Sequence, residues 1–520
     1  MELENIKDKD DITQEASVTL IADTGIQFVE YEIDLNSEEL SKFDSFYFRR
    51  SDSSPVMCLY TTKDNLPRSS ESNDLDKDKV YLFTSPYIDS NSLKKDQMKN
   101  YGKKISMEDA FEFFANYDAF NEWIPMTFFR NAISDGNEPV WHYKGLFWSR
   151  AYIKKVTDKK YKIVYAFDTK SSTDVNTATK SGLFKKDLDN GGLKFSICHD
   201  FKLIQNFLLE DSISSWLKGF TNRYYLREDH LAKIKEPDWA DIAYQMYYQV
   251  LIFVLGFDKI KKFPVINVKS FFKDSPNKLV KVNAMIDIGN SRTSILLSEE
   301  QENKALGDMV KFEVQDLTDP TITYEEAFPT RVEFAYPSFS NTKEYPFDNE
   351  CSALKLFQWP SMVRTGFEAE HLYWLLDGSE GDSGLSSPKR YLWSDRPVDR
   401  CWRLNIKNRI SSVLQDEESA LVAPYASYIS DDGVALFLDD EKSEAFDSKY
   451  SRKSTMTFMI GEILAQIVRQ INSIKYRNKR SNKDAPRALS RIILTVPPAM
   501  PKQEIERFRE CVQSAVGIFW

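Results

Sequence analysis

Runs of apolar residues separated by short polar turns predict several β-strands, and the most informative pair lies in the second half of the chain. The apolar residues of 285–288 lead into the polar turn Gly289-Asn290-Ser291, and a second apolar run follows at 292–297. This pattern predicts a β-hairpin with an acidic residue, Asp287, close to the turn. A second pair of strands is predicted around Asp23-Thr24-Gly25.

Other segments predict a mixture of helices and strands. Residues 491–496 predict a buried strand, which Pro497 and Pro498 stop. Apolar residues on one face predict a long helix before this strand and another after it; they are Met456, Met459, Ile463, Ile467, Ile471 and Ile474, and then Ile505, Phe508, Val512 and Ala515. Further predicted elements are strands at Ser45–Arg50 and Val56–Thr61, a helix at Leu203–Arg223 and a helix that starts at Pro237. The fold class that these patterns predict is α/β.

A chain of 520 residues is too long for one core, so we expect more than one domain. The polar stretch 271–279, which contains Lys273, Asp274 and Pro276, is the best candidate for a boundary. We therefore predict a mixed α+β region of unknown role at 1–270 and a second domain at 280–520.

Composition and charge exclude several classes of function. The net charge of −10 argues against a nucleic-acid footprint, and no uncharged run is long enough to span a membrane. The N-terminus has no apolar signal segment, and the five cysteines are scattered without ligand spacing. These features predict a cytoplasmic protein with reduced thiols, and they leave export without a signal peptide open.

The hairpin at Asp287 has a chemistry of its own. Tight turns can direct successive backbone N–H groups at a phosphate chain, and a carboxylate can hold a hydrated Mg²⁺. The same residues, Asp-x-Gly-Asn, also form ordinary hairpin turns. The interpretation as a phosphate site therefore depends on three later segments, which are Ala327–Phe334, Ser387–Leu392 and Arg491–Met500.

Taken in order, these four segments resemble the first lobe of the actin-like ATPases, a ribonuclease H-like fold, and especially the DnaK-type heat-shock chaperones. The resemblance implies ATP and Mg²⁺ as ligands, with Asp287 holding Mg²⁺ through water. It implies that the hairpin residues bind the phosphates; they are Gly289, Asn290, Ser291 and Arg292. Lys389 would neutralise charge on the γ-phosphate, and Glu504 would orient the attacking water, with Glu506 as an equal alternative.

The chain departs from this family at two points. Asn290 stands where the family has a small hydroxyl residue, and no second Asp-x-Gly-Gly hairpin follows before Trp520. We therefore expect a fragment, whose partner would be a second lobe of the same protein. Residues 189–192 have the letters of such a hairpin but lie upstream, and we predict a plain turn there.

A second resemblance lies near the N-terminus. Residues 17–28, Ser-Val-Thr-Leu-Ile-Ala-Asp-Thr-Gly-Ile-Gln-Phe, resemble the opening of the bacterial virulence factor SrfB family. Membership would imply a bacterial protein that acts with companion proteins from neighbouring genes. It supplies no established catalytic residues.

Together these observations predict a virulence-factor-like protein that binds Mg²⁺-ATP and is a candidate ATPase of slow turnover. One alternative is a non-catalytic interaction scaffold with a degenerate nucleotide site. Another is a small-metabolite kinase, since type III pantothenate kinases also open with Asp-x-Gly-Asn; those kinases, however, begin with the hairpin.

Overall fold

We describe the protein from a computed structural model. The structure describes residues 17–38, 40–41, 43–49, 57–62, 79–83, 88–94, 103–115, 123–133, 139–142, 144–176, 181–190, 192–198, 201–225, 243–256, 265–270, 279–300, 309–337, 339, 357–375, 380–405, 419–421, 425–439, 441–480 and 482–519. The predicted helix start at Pro237 and the predicted boundary at 271–278 lie outside these residues.

The chain forms a mixed α/β structure of several sheets in two compact units. One unit comprises Met1–Leu20, Phe28–Asp118 and Trp123–Lys269, and the other comprises Ile21–Gln27, Ala119–Glu122 and Ser270–Trp520. Within the described ranges, no helix is both long and apolar enough to cross a lipid bilayer.

Among its described residues, the first part of the chain contains three sheets and five helices. The strands are β1 (Ser17–Ile21), β2 (Ile26–Asp34), β3 (Phe43–Arg49), β4 (Met57–Thr62), β5 (Lys79–Phe83), β6 (Ile88–Lys94), β7 (Lys103–Ile105), β8 (Ile124–Pro125), β9 (Phe128–Ile133), β10 (Pro139–His142), β11 (Ser149–Lys155), β12 (Lys160–Asp168), β13 (Leu193–Ile197) and β14 (Val265–Lys269). Their orders are β1-β14-β13-β9-β10, β2-β12-β11-β8 and β6-β5-β4-β3-β7. The helices are α1 (Met107–Ala115), α2 (Lys185–Asp189), α3 (Phe201–Leu209), α4 (Asp211–Tyr225) and α5 (Ala243–Gly256).

The second part contains ten strands and four helices among its described residues. The strands are β15 (Val280–Ile288), β16 (Arg292–Glu299), β17 (Met309–Lys311), β18 (Val314–Gln315), β19 (Thr323–Tyr324), β20 (Phe328–Pro329), β21 (Arg331–Phe334), β22 (Val363–Thr365), β23 (Gly384–Ser386) and β24 (Arg487–Leu494). The helices are α6 (Gly366–Leu375), α7 (Arg452–Asn472), α8 (Ile474–Asn478) and α9 (Lys502–Phe519), and short 3₁₀ helices occur at Pro388–Tyr391, Tyr425–Ser427 and Leu436–Leu438.

The main sheet of the second unit has the order β17-β16-β15-β24, and β20 also pairs with β16. Strands β15, β16 and β17 form an antiparallel meander, whereas β24 runs parallel to β15. A parallel neighbour requires a crossover connection, and the long helix α7 precedes β24 in the chain. Alternate residues of β15, including Ile286 and Ile288, join α7 and α9 in one hydrophobic core. The opposite face of β15 therefore carries Asp287 outward.

Most predicted elements of this unit are confirmed, with two corrections, and one predicted helix of the first unit is also corrected. The strand at 491–496 is not buried: β24 starts at Arg487 and exposes Ile493, because the sheet order puts it at an edge. The helix predicted to reach Ile474 ends at Asn472, since Ser473 is extended and caps the next helix by accepting from the Tyr476 N–H. In the first unit, the helix predicted at Leu203–Arg223 is two helices, α3 and α4. The second starts at Asp211, where an acidic first turn favours a new helix.

Several carboxyl groups are buried among the described residues of the second unit, and three of them are Glu462, Asp316 and Glu368. Glu462 accepts hydrogen bonds from Trp359 Nε1 and Gln466 Nε2, and Asp316 accepts one from the Tyr324 hydroxyl. Glu368 Oε1 lies 3.4 Å from the Arg364 guanidinium, while its Oε2 has no hydrogen-bond partner in the described part of the chain.

Burial raises the pKa of each of these carboxyl groups. For Glu368 the pKa is raised well above its usual value, first by burial and then by the negative charge of Asp316, against the lowering effect of Arg364. A raised pKa in the folded state means that the folded protein binds this proton more tightly than the unfolded chain does. The free energy of unfolding therefore falls as the pH rises above the usual glutamate value.

Replacing Glu368 by Gln should remove this pH-dependent cost. We compare the free energy of unfolding of Glu368→Gln with that of the wild type at two pH values. Relative to the wild type, the variant should be more stable at about pH 8 than at about pH 5, by about 1 kcal/mol or more. Comparing the two pH values cancels any constant cost of the new amide. Urea denaturation of both proteins at each pH measures this difference. The control is Glu370→Gln, which replaces a half-buried acid on the same helix. An equal effect of Glu368→Gln at both pH values contradicts the assignment.

Candidate functional site

The hairpin predicted around Asp287 is present, and its glycine is required by close packing. Strands β15 and β16 pair with Asp287 opposite Ser294, and the Gly289 N–H donates to the Arg292 carbonyl at 2.9 Å. A Cβ atom on Gly289 would lie 2.8 Å from that same carbonyl oxygen, which is closer than a side chain can approach. The turn is therefore as tight as the sequence predicted.

Asp287 is exposed, and a neighbouring strand end fixes its carboxylate. The Thr495 N–H donates to the Ile286 carbonyl at 3.1 Å, continuing the β15–β24 ladder, and the Thr495 hydroxyl donates to Asp287 Oδ1 at 2.6 Å. One carboxylate oxygen is thus held in place.

Lys389 supplies a side-chain donor to β15 beyond the last backbone N–H that pairs with this strand. After Thr495 the chain enters Val496-Pro497-Pro498, and proline has no N–H to offer. The next β15 carbonyl on this side, that of Ile288, accepts instead from Lys389 Nζ at 2.7 Å. A buried carbonyl needs a donor, and the lysine side chain supplies it.

Lys389 also interacts electrostatically with Asp287 and Glu504, the two acids that were predicted to be catalytic. The side chain is buried, and its ammonium group lies 5.2 Å from the centre of the Phe508 ring. Burial lowers the pKa of Lys389, while the negative charges of Asp287 and Glu504 oppose that shift. Glu504 lies in the first turn of α9, and of the two acids predicted there, Glu504 rather than Glu506 acts on the lysine.

Hydrogen bonds from Thr330 and Ser387, which lie in two of the other predicted segments, hold the turn. The Thr330 N–H donates to the Ser291 carbonyl at 2.9 Å, and the Ser387 N–H donates to the Thr330 carbonyl at 2.7 Å. The Ser387 hydroxyl donates to the Asn290 carbonyl. The hydroxyl groups of Thr293 and Thr330 are 2.9 Å apart. The four segments singled out in the sequence thus meet at one place.

The N–H groups of the turn are available to a ligand. Within the described residues, neither the Asn290 nor the Ser291 N–H donates to a protein acceptor, and both residues are exposed. Arg292 differs, because its guanidinium donates to the Ala327 carbonyl at 2.8 Å. The turn therefore presents two exposed amides beside one fixed carboxylate.

The residues fit a hydrated magnesium ion rather than a metal cage. Within the ranges that the structure describes, no group of three or more histidine, cysteine or acidic residues is arranged to hold a metal. Mg²⁺ in nucleotide sites keeps several waters and is bound by one or two carboxylates together with phosphate oxygens. The single carboxylate of Asp287 matches that donor set.

The roles of three hydroxyl residues were not predicted. Ser387, Thr330 and Thr495 all lie inside the segments that the sequence singled out, but their contacts join residues distant in the chain; Thr495 and Asp287 are 208 residues apart. For two of them the sequence carried a signal, their place beside a proline in Pro329-Thr330 and Ser387-Pro388.

Comparison with known proteins gives one family. The family described as Virulence factor SrfB matches residues 10–520. No curated protein and no solved structure matches the chain.

A side chain at residue 289 should open the hairpin. We expect Gly289→Ala to lower the free energy of unfolding by about 1–3 kcal/mol, the usual cost of overpacking, because the new methyl group meets the Arg292 carbonyl. Ser294→Ala, an exposed change in the paired strand, should stay within about 0.5 kcal/mol of the wild type. Chemical denaturation of both variants measures this, and equal stability would show that the turn is looser than described.

Proposed function

The chain belongs to the SrfB virulence factor family, and from this premise we propose that its second unit is one lobe of an actin-like domain that binds Mg²⁺-ATP. The observation that carries the proposal is the convergence of Asp287, Lys389 and Glu504, which come from three distant segments of the chain, around one tight turn. A purely structural turn needs a donor for the Ile288 carbonyl, which Lys389 supplies, but it does not need both Asp287 and Glu504 near that donor.

The sheet topology supports the same proposal. An antiparallel meander of three strands, followed through a long helix by a fourth strand parallel to the first, is the opening order of a ribonuclease H-like sheet. Fold alone does not imply function, so the residues at the turn carry the proposal.

Each residue has a physical task in this proposal. The exposed Asn290 and Ser291 N–H groups bind phosphate oxygens, as backbone amides do in other anion-binding turns. Asp287 would hold Mg²⁺ through water, and the ion would offset the negative charge of the phosphates. Lys389 places a point charge near the γ-phosphate, and Glu504 orients water. Asn290 supplies no hydroxyl group at the turn, so we propose that hydrolysis is slow.

We further propose that nucleotide binding changes how the protein meets its partners. In the actin-like proteins that the chain resembles, a second lobe closes over the nucleotide, and closure of this kind is sensed by other proteins. Companion proteins encoded nearby are the proposed partners. The alternative is an interaction scaffold that binds no nucleotide, and measurable binding of Mg²⁺-ATP would exclude it.

The first test is the affinity of the 520-residue chain for Mg²⁺-ATP. We expect weak binding, in about the millimolar range, because the proposed site is formed by one lobe. Asp287→Ala should weaken it at least about tenfold, which corresponds to about 1.4 kcal/mol. Glu300→Ala removes an exposed acid from the other end of the same hairpin and should leave the affinity unchanged. Calorimetric titration measures all three proteins. Equal affinities of wild type and Asp287→Ala reject the site.

The second test concerns Lys389. Because its charge would act on the γ-phosphate, wild type should bind Mg²⁺-ATP more tightly than Mg²⁺-ADP, by about tenfold for one charge-assisted hydrogen bond. Lys389→Met keeps the length of the side chain and removes the charge, so the affinities for the two nucleotides should become similar. A ratio that is unchanged in Lys389→Met contradicts this role, and the melting temperature of the variant shows whether the fold is retained.

A further inference from the structure

Ser387 adopts a backbone conformation that its residue type avoids. Its φ of 52° and ψ of 52° place it in the left-handed region, which a non-glycine residue enters only at a cost in energy. Pro388 follows it, and a residue before proline favours an extended backbone. Glycine would be the ordinary choice here, yet the chain has serine. Strain of this kind persists where the surrounding structure fixes it, and such positions cluster at functional sites.

The hydroxyl group accounts for the choice of serine over glycine. In this conformation Ser387 directs its hydroxyl to the Asn290 carbonyl, while its N–H reaches the Thr330 carbonyl at 2.7 Å. Thr330 in turn donates its N–H to the Ser291 carbonyl at 2.9 Å. Both peptide carbonyls that follow Gly289 in the turn thus accept hydrogen bonds from distant residues, that of Asn290 from Ser387 and that of Ser291 from Thr330.

Holding the Asn290 carbonyl determines where the next N–H points. In a trans peptide the C=O of one residue and the N–H of the next are antiparallel across the planar bond. Because the Asn290 carbonyl points toward Ser387, the Ser291 N–H points away from it. That N–H is one of the two turn amides that donate to no acceptor in the described part of the protein.

We propose that Ser387 is a positioning residue, which holds the Asn290 carbonyl so that the Ser291 N–H faces a phosphate group. This inference rests on the proposed nucleotide function and deepens it. Ser387 does not touch the nucleotide; it acts through the turn. The strained conformation is retained because glycine would relieve the strain but lose the hydrogen bond.

Ser387→Gly separates this role from a merely structural one. The variant removes the hydroxyl and relieves the strain, so its melting temperature should equal or exceed that of wild type, while its affinity for Mg²⁺-ATP falls at least about fivefold. Ser387→Ala keeps the strain and should lose affinity by a similar factor. Ser386→Ala is the matched control, because the hydroxyl of Ser386 donates to Glu380 instead, at 2.6 Å; its affinity should not change.

A measurement without ligand tests the same contact. Hydrogen exchange at Gly289 and Thr330, whose N–H groups are bonded within this turn, should become several-fold faster in Ser387→Gly and Ser387→Ala than in wild type. Unchanged exchange in both variants overturns the inference.

The outcomes distinguish the two proposals. Wild type that binds Mg²⁺-ATP, together with Ser387→Gly that binds it equally well, overturns only the role of Ser387. Wild type without affinity for Mg²⁺-ATP contradicts the proposed function and, with it, a binding role for Ser387. Faster exchange with loss of affinity at unchanged or increased stability is the result that we expect.

Discussion

Three carbonyl groups around one turn are each held by a donor from a distant segment, and the site depends on these hydrogen bonds. The donors are Lys389 Nζ on Ile288, the Ser387 hydroxyl on Asn290 and the Thr330 N–H on Ser291. Isolated hairpins are only marginally stable in water, so the short turn alone would not hold one geometry. It is ordered because strands β20, β21 and β23 and the 3₁₀ helix at Pro388–Tyr391 pack around it. The orientation of the turn amides is therefore a property of the whole unit.

The position of Lys389 follows from where a strand stops. Strand β24 supplies backbone donors to β15 as far as Thr495, and the prolines that follow cannot continue the ladder. One buried carbonyl, that of Ile288, would otherwise lack a partner. An apolar side chain at residue 389 would leave that cost unpaid, and an ammonium group both satisfies the carbonyl and brings positive charge to the turn. The structural role of this lysine is thus compatible with the function proposed for it.

The sequence predicted the parts of this site better than the contacts between them. Apolar runs and a glycine turn were enough to predict the hairpin at Asp287, because those signals are local. The strand at 491–496 was predicted to be buried because its composition is apolar, but exposure depends on its place at a sheet edge, which composition does not encode. The contacts of Ser387 and Thr495 could not be predicted either, since a hydroxyl group finds its partner only after distant segments pack together. The same holds for Glu368, whose burial depends on the packing of α6.

The structural role of Glu504 and its proposed function are compatible, because both need a negative charge in the same place. An acid in the first turn of α9 interacts favourably with the N-terminal end of that helix. The same end of the helix lies near Lys389, where Glu504 opposes the effect of burial on the lysine pKa. An anionic phosphate next to this acid would be repelled unless cations intervened. In the proposed site, Lys389 and a Mg²⁺ ion held through Asp287 would supply those cations, so phosphate could bind beside Glu504 only with both the lysine and the metal in place.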